Sequence, residues 1–297
     1  MNRPLANGII TALATPFREN EIDFQSLDRL LQWQLHNSVD ALLISGTTGE
    51  SPTLGEEEYE QLIDHTLQFI AGRIPVYVGT GSNCTKTCIR RTKLAKRLGA
   101  DAALIVAPYY NRPTQHGLLA HFSAIADAVQ MPIILYSIAA RCAVEIAVET
   151  ICELRETYGH ICGLKDCECD WFSRLWQLRN FLGNSFCIYG GNDSATLPFL
   201  AAGGDGMISV ASNCFPFAMK QLFAQIRQMN LPAAQEQWKQ LSPWISLLSC
   251  ETNPVPIKFL LHLQKLFDSP SVRLPLVELS AENRRRLECA YEEPLPQ

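Results

Sequence analysis

No run of this 297-residue chain approaches the ~18 consecutive apolar residues that a membrane-spanning helix needs. Charge is scarce too: Asp, Glu, Lys and Arg make up 19% of the residues, against roughly 25% in an average soluble domain. The 25 basic residues are outnumbered by 30 acidic ones, and a net charge of −5 argues against coating nucleic acid. Gly and Pro, at 17 each, are too few for a collagen-like or low-complexity chain. Thr15-Pro16-Phe17-Arg18-Glu19, which follows the first apolar run, holds none of the glycines of a dinucleotide-binding turn. Cys167-Glu168-Cys169 lacks the partner pair that a zinc site needs, and no other His, Cys or carboxylate cluster has ligand spacing, so neither a metal nor a cofactor is expected.

Cysteine is abundant. The eleven cysteines are scattered, and several lie in apolar runs such as Ile161-Cys162-Gly163-Leu164, where a reduced thiol behaves as a small hydrophobe. A full disulfide framework does not suit a chain of this size, so the cytoplasm is the expected compartment. The stretch from Gly8 to Ala14 has the length of a short signal core. It lacks a basic cluster beyond Arg3 and runs into Thr15-Pro16, which reads as the end of a strand.

The dominant pattern is a short apolar run followed by a segment of helical period. The runs are residues 8–16, 41–46, 75–81, 102–108, 132–138, 161–166, 186–191 and 206–210, and their starts fall 20 to 34 residues apart. Segments 24–38, 56–69, 85–98, 118–129, 146–158 and 172–182 carry helical stripes, as in Leu27, Leu30, Leu31 and Leu35, and Gly99 and Gly183 stand where helices end. Runs such as Ala-Leu-Leu-Ile and Pro-Ile-Ile-Leu-Tyr are continuously apolar, the mark of parallel strands buried on both faces. Eight such units fit an α/β fold of the closed (β/α)8 TIM barrel type. Segments 217–229, 232–248, 257–267 and 281–291 read as further helices, the first closing the barrel. The expected organisation is a catalytic barrel over residues 1–230 with a C-terminal helical appendix, 231–297, packed on it.

In such a barrel the chemistry gathers where strands end. Lys165 ends the sixth run and should aim into a desolvated mouth, where burial lowers an amine's pKa and frees it to attack a carbonyl as a Schiff-base nucleophile. The plainer alternative is an ion pair with Asp166 or another acid at the rim. Tyr136 ends the neighbouring fifth run, about 4.8 Å away, and its phenol could move protons at the same centre or simply be a core tyrosine. Thr47, Thr48 and Tyr110 offer hydroxyls for a relay, and the Gly46-Thr47-Thr48-Gly49-Glu50 backbone offers N–H groups to a carboxylate. Arg141 suits a second carboxylate, or is a solvated loop arginine. Gly79-Thr80-Gly81-Ser82-Asn83 lacks the lysine of a nucleotide loop, the six histidines fall mostly in helices, and Arg284-Arg285-Arg286 reads as a solvated helix face.

Gly46-Thr47-Thr48-Gly49-Glu50-Ser51, Pro108-Tyr109-Tyr110-Asn111-Arg112-Pro113 and Gly163-Leu164-Lys165-Asp166 resemble, in order, the motifs of the dihydrodipicolinate synthase/N-acetylneuraminate lyase family. The similarity runs from about residue 8 to the segment from Asn253 to Lys258. It implies a class I aldolase in which pyruvate condenses with Lys165 and the resulting enamine attacks an aldehyde. By the same resemblance Tyr136 is the acid/base, and Thr47 and Tyr110 complete the relay, with Tyr110 reaching into a neighbouring subunit of a homo-oligomer that is at least dimeric and usually tetrameric. Thr48 and the Gly46–Gly49 backbone would hold the pyruvate carboxylate, with the Ile208 backbone near the lysine and Gly191 also among the substrate-binding residues. Arg141 is similar to the arginine that synthases use for the carboxylate of aspartate semialdehyde, which favours the synthase branch over sugar-acid lyases, while the intact set of Lys165, Tyr136, Thr47 and Tyr110 argues against a non-catalytic scaffold.

The departures are local. Synthases commonly read Tyr-Asn-Val-Pro-Ser-Arg-Thr-Gly where this chain reads Tyr136-Ser137-Ile138-Ala139-Ala140-Arg141-Cys142-Ala143. Loss of the proline should loosen this loop, and alanine in place of the glycine should disfavour a positive φ. Lys165-Asp166-Cys167 replaces the usual lysine-glutamate pair. At the family's lysine feedback pocket Asn83 and Tyr109 match, whereas Glu56, Tyr59 and Thr87 depart, so weak or absent inhibition by lysine is expected.

Overall fold

A computed structural model describes residues 5–296. Eight parallel strands close into a barrel: β1 (Gly8–Ala12), β2 (Ala41–Ile44), β3 (Val76–Gly79), β4 (Ala102–Val106), β5 (Ile133–Ser137), β6 (Ile161–Asp166), β7 (Cys187–Gly190) and β8 (Gly206–Ser209), with β8 paired back to β1. The helices between them are α1 (Phe24–His36), α2 (Glu56–Ile70), α3 (Thr85–Leu98), α4 (Gln115–Ala128), α5 (Val148–Thr157), α6 (Trp171–Leu182), α7 (Thr196–Ala201) and α8 (Pro216–Arg227). This is the TIM barrel that the spacing of the apolar runs predicts.

The continuous apolar character of the strands has the expected cause. Along β1, Ile10 and Ala12 fill the barrel interior with Leu43, Tyr77, Leu104, Ile134 and Tyr189, while Ile9 joins the larger core between strands and helices. Both faces are dry, so neither can be polar. Helix ends follow local chemistry. Asp23 caps α1 by accepting from Ser26 N, Thr114 caps α4 by accepting from Gly117 N, and Gly99 ends α3 at φ 100°. The Thr114 cap starts α4 three residues before the first apolar position of its expected stripe. Two elements have no clear periodic signature: a hairpin pairing Phe17–Arg18 with Glu21–Ile22, and α7, a six-residue helix in the shortest of the intervals between runs.

Three helices follow the barrel: α9 (Leu231–Leu247), α10 (Val255–Leu263) and α11 (Ala281–Tyr291). Helix α9 packs along α8. Every residue of α10 from Val255 to Leu261 is buried, Lys258 included, which suits a helix apolar nearly all round. It ends earlier than its apolar run suggests, because the chain turns at Lys265 (φ 60°) and Phe267 returns to the core.

Candidate active site

Strands β5 and β6 pair with Tyr136 directly opposite Lys165. Lys165 is 6% exposed, and its Nζ lies 4.4 Å from the centroid of the Tyr136 ring. Burial pushes the ammonium below the ordinary lysine range, against the smaller upward pull of Cys167 and Asp193. Burial likewise holds the Tyr136 phenol well above its ordinary range, a bond with the Thr47 side chain working the other way. The Cys167 thiol donates to the Tyr136 hydroxyl across 3.9 Å.

Asp166 is not the partner of Lys165. It points to the other face of β6, where Oδ2 meets Arg174 Nε at 3.0 Å and Oδ1 accepts from Glu168 N–H at 3.0 Å. The pairing of Lys165 with Asp166 therefore fails, because neighbouring strand residues face opposite ways, and the acid on the lysine's own wall is Asp193. Gly191 explains how the lysine fits. A Cβ there would fall 2.6 Å from Lys165 Cε and nearer still to Cys167 Sγ.

The loop after β2 is bent at both ends by left-handed residues, Ser45 at φ 52° and Glu50 at φ 50°. Gly49 is wedged against Thr15, whose Oγ1 donates to the Gly49 carbonyl at 2.9 Å. Thr48 Oγ1 accepts from Asn253 Nδ2 at 3.1 Å. Glu50 is held by Lys258 Nζ at 2.7 Å and by the Arg273 backbone N–H at 2.9 Å, with both side chains of the ion pair buried. The appendix thus anchors the loop that carries Thr47 and Thr48.

A cavity of about 340 Å³ opens over the barrel mouth, lined by Thr47, Thr48, Tyr136, Arg141, Lys165 and Gly191 among others. A second, of about 230 Å³, shares Thr47, Tyr136 and Arg141 and extends past Gly46 toward Arg91 and Tyr109. Seven of the ten expected site residues line these two spaces. Ile208 is fully buried in the barrel interior, Gly49 is packed beneath the loop, and Tyr110 stands apart. At φ 70° and 95% exposure, Tyr110 lines neither cavity.

The altered loop after Tyr136 differs from its expected looseness. Ala139–Cys142 forms one helical turn, closed by Ala143 N–H donating to Ala139 O at 2.8 Å. Ala143 adopts φ 58° without being glycine, since that capping bond and the turn behind it outweigh a modest steric cost. Arg141 projects from this turn and is exposed.

Some polar residues join the site with no motif to announce them. Asp193 Oδ2 accepts from Val210 N–H at 2.9 Å and Ala211 N–H at 2.8 Å, while its Oδ1 is buried without a partner among the described residues, on the wall that also holds Lys165. Asn253 Oδ1 is also buried without a partner. The one available signal was Lys258, a charge inside an apolar helix. Among the described residues no group of three His, Cys, Asp or Glu side chains is arranged to hold a metal, and all eleven cysteines are free.

A buried lysine on one strand, a phenol opposite it and a hydroxyl-lined cavity above them define a barrel enzyme of the Schiff-base class. Residues 5–293 match the model of the dihydrodipicolinate synthetase family. The chain is 38% identical over 288 residues to the 4-hydroxy-tetrahydrodipicolinate synthase of Thermotoga petrophila, spanning 96% of this chain and 98% of that protein. It is 41% identical over 280 residues to the enzyme of the same name from Aquifex aeolicus, at 94% and 95% coverage. The crystal structure of dihydrodipicolinate synthase from Aquifex aeolicus superposes with a TM-score of 0.94 at 40% identity, covering 98% of this chain and all of that one. The chain belongs to the dihydrodipicolinate synthetase family.

Proposed function

We propose that this protein is a lyase that condenses pyruvate with L-aspartate 4-semialdehyde to give 4-hydroxy-tetrahydrodipicolinate, with Lys165 as the Schiff-base nucleophile. One observation carries the assignment of the lysine: a buried amine with no carboxylate in salt-bridge contact among the described residues, set over the ring of Tyr136. The neutral Nζ adds to the pyruvate ketone, and loss of water leaves an iminium. A proton then leaves the methyl carbon, and the enamine attacks the aldehyde carbon. Addition of the semialdehyde's own amine to the former ketone carbon releases Lys165. Tyr136, hydrogen bonded to Thr47, serves as acid and base, and a phenol whose pKa is raised stays protonated until it is needed.

Thr48 and the backbone from Gly46 to Gly49 receive the pyruvate carboxylate, Gly191 leaves room for the lysine and with Ile208 completes the substrate-binding set, and Arg141 takes the carboxylate of the semialdehyde. Tyr110 completes the relay in a second copy of the chain, which makes the active form at least a dimer; its near-complete exposure supports this. Residues 1–230 act as the catalytic barrel and 231–297 as an extension that braces it. Eleven free thiols support a cytoplasmic site. Arg91 stacks 4.7 Å from the Tyr59 ring centroid, which supports weak or absent inhibition by lysine, a cation; full inhibition at micromolar lysine refutes that point.

The test is to incubate the protein with pyruvate, reduce with borohydride and map the adduct by mass spectrometry. A pyruvyl group on Lys165 is expected, and its absence rejects the assignment. Assays with aspartate semialdehyde and N-acetylneuraminate then separate the synthase from a sugar-acid lyase.

A further inference from the structure

We infer that Glu168 is the positioning residue that sets Arg141 for the second substrate. Its carboxylate is buried at the end of β6, two residues beyond Asp166, yet its hydrogen bonds go to the neighbouring loop. Oε1 accepts from Ser137 Oγ at 2.6 Å and from Ala139 N–H at 3.0 Å, and Oε2 lies 3.2 Å from the same N–H. Ser137 Oγ in turn accepts from Ile146 N–H at 3.0 Å. The two ends of the segment from Ser137 to Ile146 therefore meet on one hydroxyl, and that hydroxyl is held by Glu168.

Between those ends sits the single turn that carries Arg141. Ala139 is its first residue, and Arg141 and Cys142 both donate backbone N–H groups to Ile138 O at 3.0 Å. A four-residue turn has no stability of its own, so its orientation must be imposed from outside. Glu168 imposes it at the turn's start, where free N–H groups and the helix dipole favour a carboxylate. The clamp is itself rigid: Glu168 N–H is bonded to Asp166, and Arg174 bridges Asp166 and the Ile146 carbonyl. The same strand end thus fixes Lys165 on one face and, through Glu168, the arginine turn on the other. A proline at position 139 would fix φ but have no N–H; here alanine supplies an N–H and Glu168 receives it.

This inference rests on the reading that Arg141 binds the semialdehyde carboxylate, and the experiment separates the two. KM for each substrate, kcat and the rate of borohydride trapping are measured for wild type, Arg141→Ala, Glu168→Gln, Glu168→Ala and Glu168→Ala combined with Ala139→Pro. Glu168→Ala should raise the semialdehyde KM about ten-fold by misaiming the arginine, while pyruvate KM and trapping stay within about two-fold. Glu168→Gln, which keeps the shape of the side chain and one acceptor oxygen, should show a smaller rise and guards against loss of folding. Proline at 139 should restore the semialdehyde KM in the Glu168→Ala background, because it removes the orphaned N–H and presets the first helical residue. An unchanged semialdehyde KM in both Glu168 variants, a parallel loss of trapping, or no rescue by proline overturns the inference. If Arg141→Ala leaves the semialdehyde KM unchanged, the reading of Arg141 falls instead.

Discussion

The most informative single perturbation is Lys258→Met, far from the lysine nucleophile in sequence but bonded to the loop that faces it. Lys258 Nζ and Glu50 Oε1 are 2.7 Å apart, and the two side chains are 0% and 1% exposed. Methionine fills nearly the same space, so packing changes little while the buried Glu50 carboxylate keeps, among the described residues, the Arg273 N–H as its hydrogen-bond donor. Removing one partner of a buried pair typically costs about 3–5 kcal/mol. Unfolding entropy of roughly 2.1 cal/mol/K per residue gives about 0.6 kcal/mol/K for 297 residues, so the melting temperature should fall by about 5–8 °C. Pyruvate KM should rise with it, because Glu50 ends the Thr47–Thr48 loop in a left-handed conformation that its buried side chain helps to hold. The double variant Glu50→Gln with Lys258→Met removes both charges and keeps an acceptor for Arg273 N–H, so most of the lost stability should return. Melting curves for the three proteins decide it. A Lys258→Met protein that melts within 1 °C of wild type, or a double variant no better than the single one, refutes the reasoning.

Three further outcomes are expected. Tyr136→Phe should lower kcat by about 10²–10⁴-fold in a coupled turnover assay, with a far smaller change in pyruvate KM, since it removes a proton carrier and little shape. Gly191→Ala should slow borohydride trapping by about 10²-fold, because the new methyl would overlap the Lys165 and Cys167 side chains. His121 is buried, bonds Thr85 at 2.9 Å through Nδ1, and has its pKa pushed down to about 4 from 6.5 by burial. The folded protein therefore binds fewer protons than the unfolded chain between those values. Stability contributed by neutral His121 is complete above pH 6.5 and is lost as pH falls toward 4, and His121→Gln should flatten that part of a melting-temperature profile.

The barrel was legible because its cause is local. Strands dry on both faces cannot alternate, so Ala41–Ile44 and Ile133–Ser137 announce themselves as unbroken apolar runs. Lys165 was legible for the same reason: a charge that interrupts such a run at the end of a strand has few structural excuses. Position within the barrel then brought Tyr136 beside it. What stayed hidden is pairing over distance. Glu50 stands in the loop motif with no role of its own in the sequence, and only its burial against a residue 208 positions later makes it structural. Asp193 was visible at a strand end, but nothing in its neighbours says that one oxygen faces the wall of Lys165. Tyr110 reads as a member of the relay, while within one chain it stands in solvent.

The loop after Tyr136 shows why substitutions at a site cannot be read one by one. Taken singly, alanine at 139 predicts slack and alanine at 143 predicts a lost left-handed turn. The structure keeps both the turn and the positive φ, because Ala143 N–H closes on Ala139 O and Ala139 N–H closes on Glu168. Rigidity that proline would supply by restricting the unfolded chain is supplied here by a hydrogen-bonded carboxylate in the folded one. The two devices differ in what they depend on. A proline holds its angle at any pH and salt, whereas a carboxylate clamp holds only while Glu168 is ionised. Burial raises the Glu168 pKa from its ordinary value, so the clamp weakens sooner on acidification than an exposed glutamate would. Semialdehyde binding should therefore weaken on acidification sooner than a clamp made by an exposed glutamate would allow, and Ala139→Pro in the Glu168→Ala background should remove this contribution.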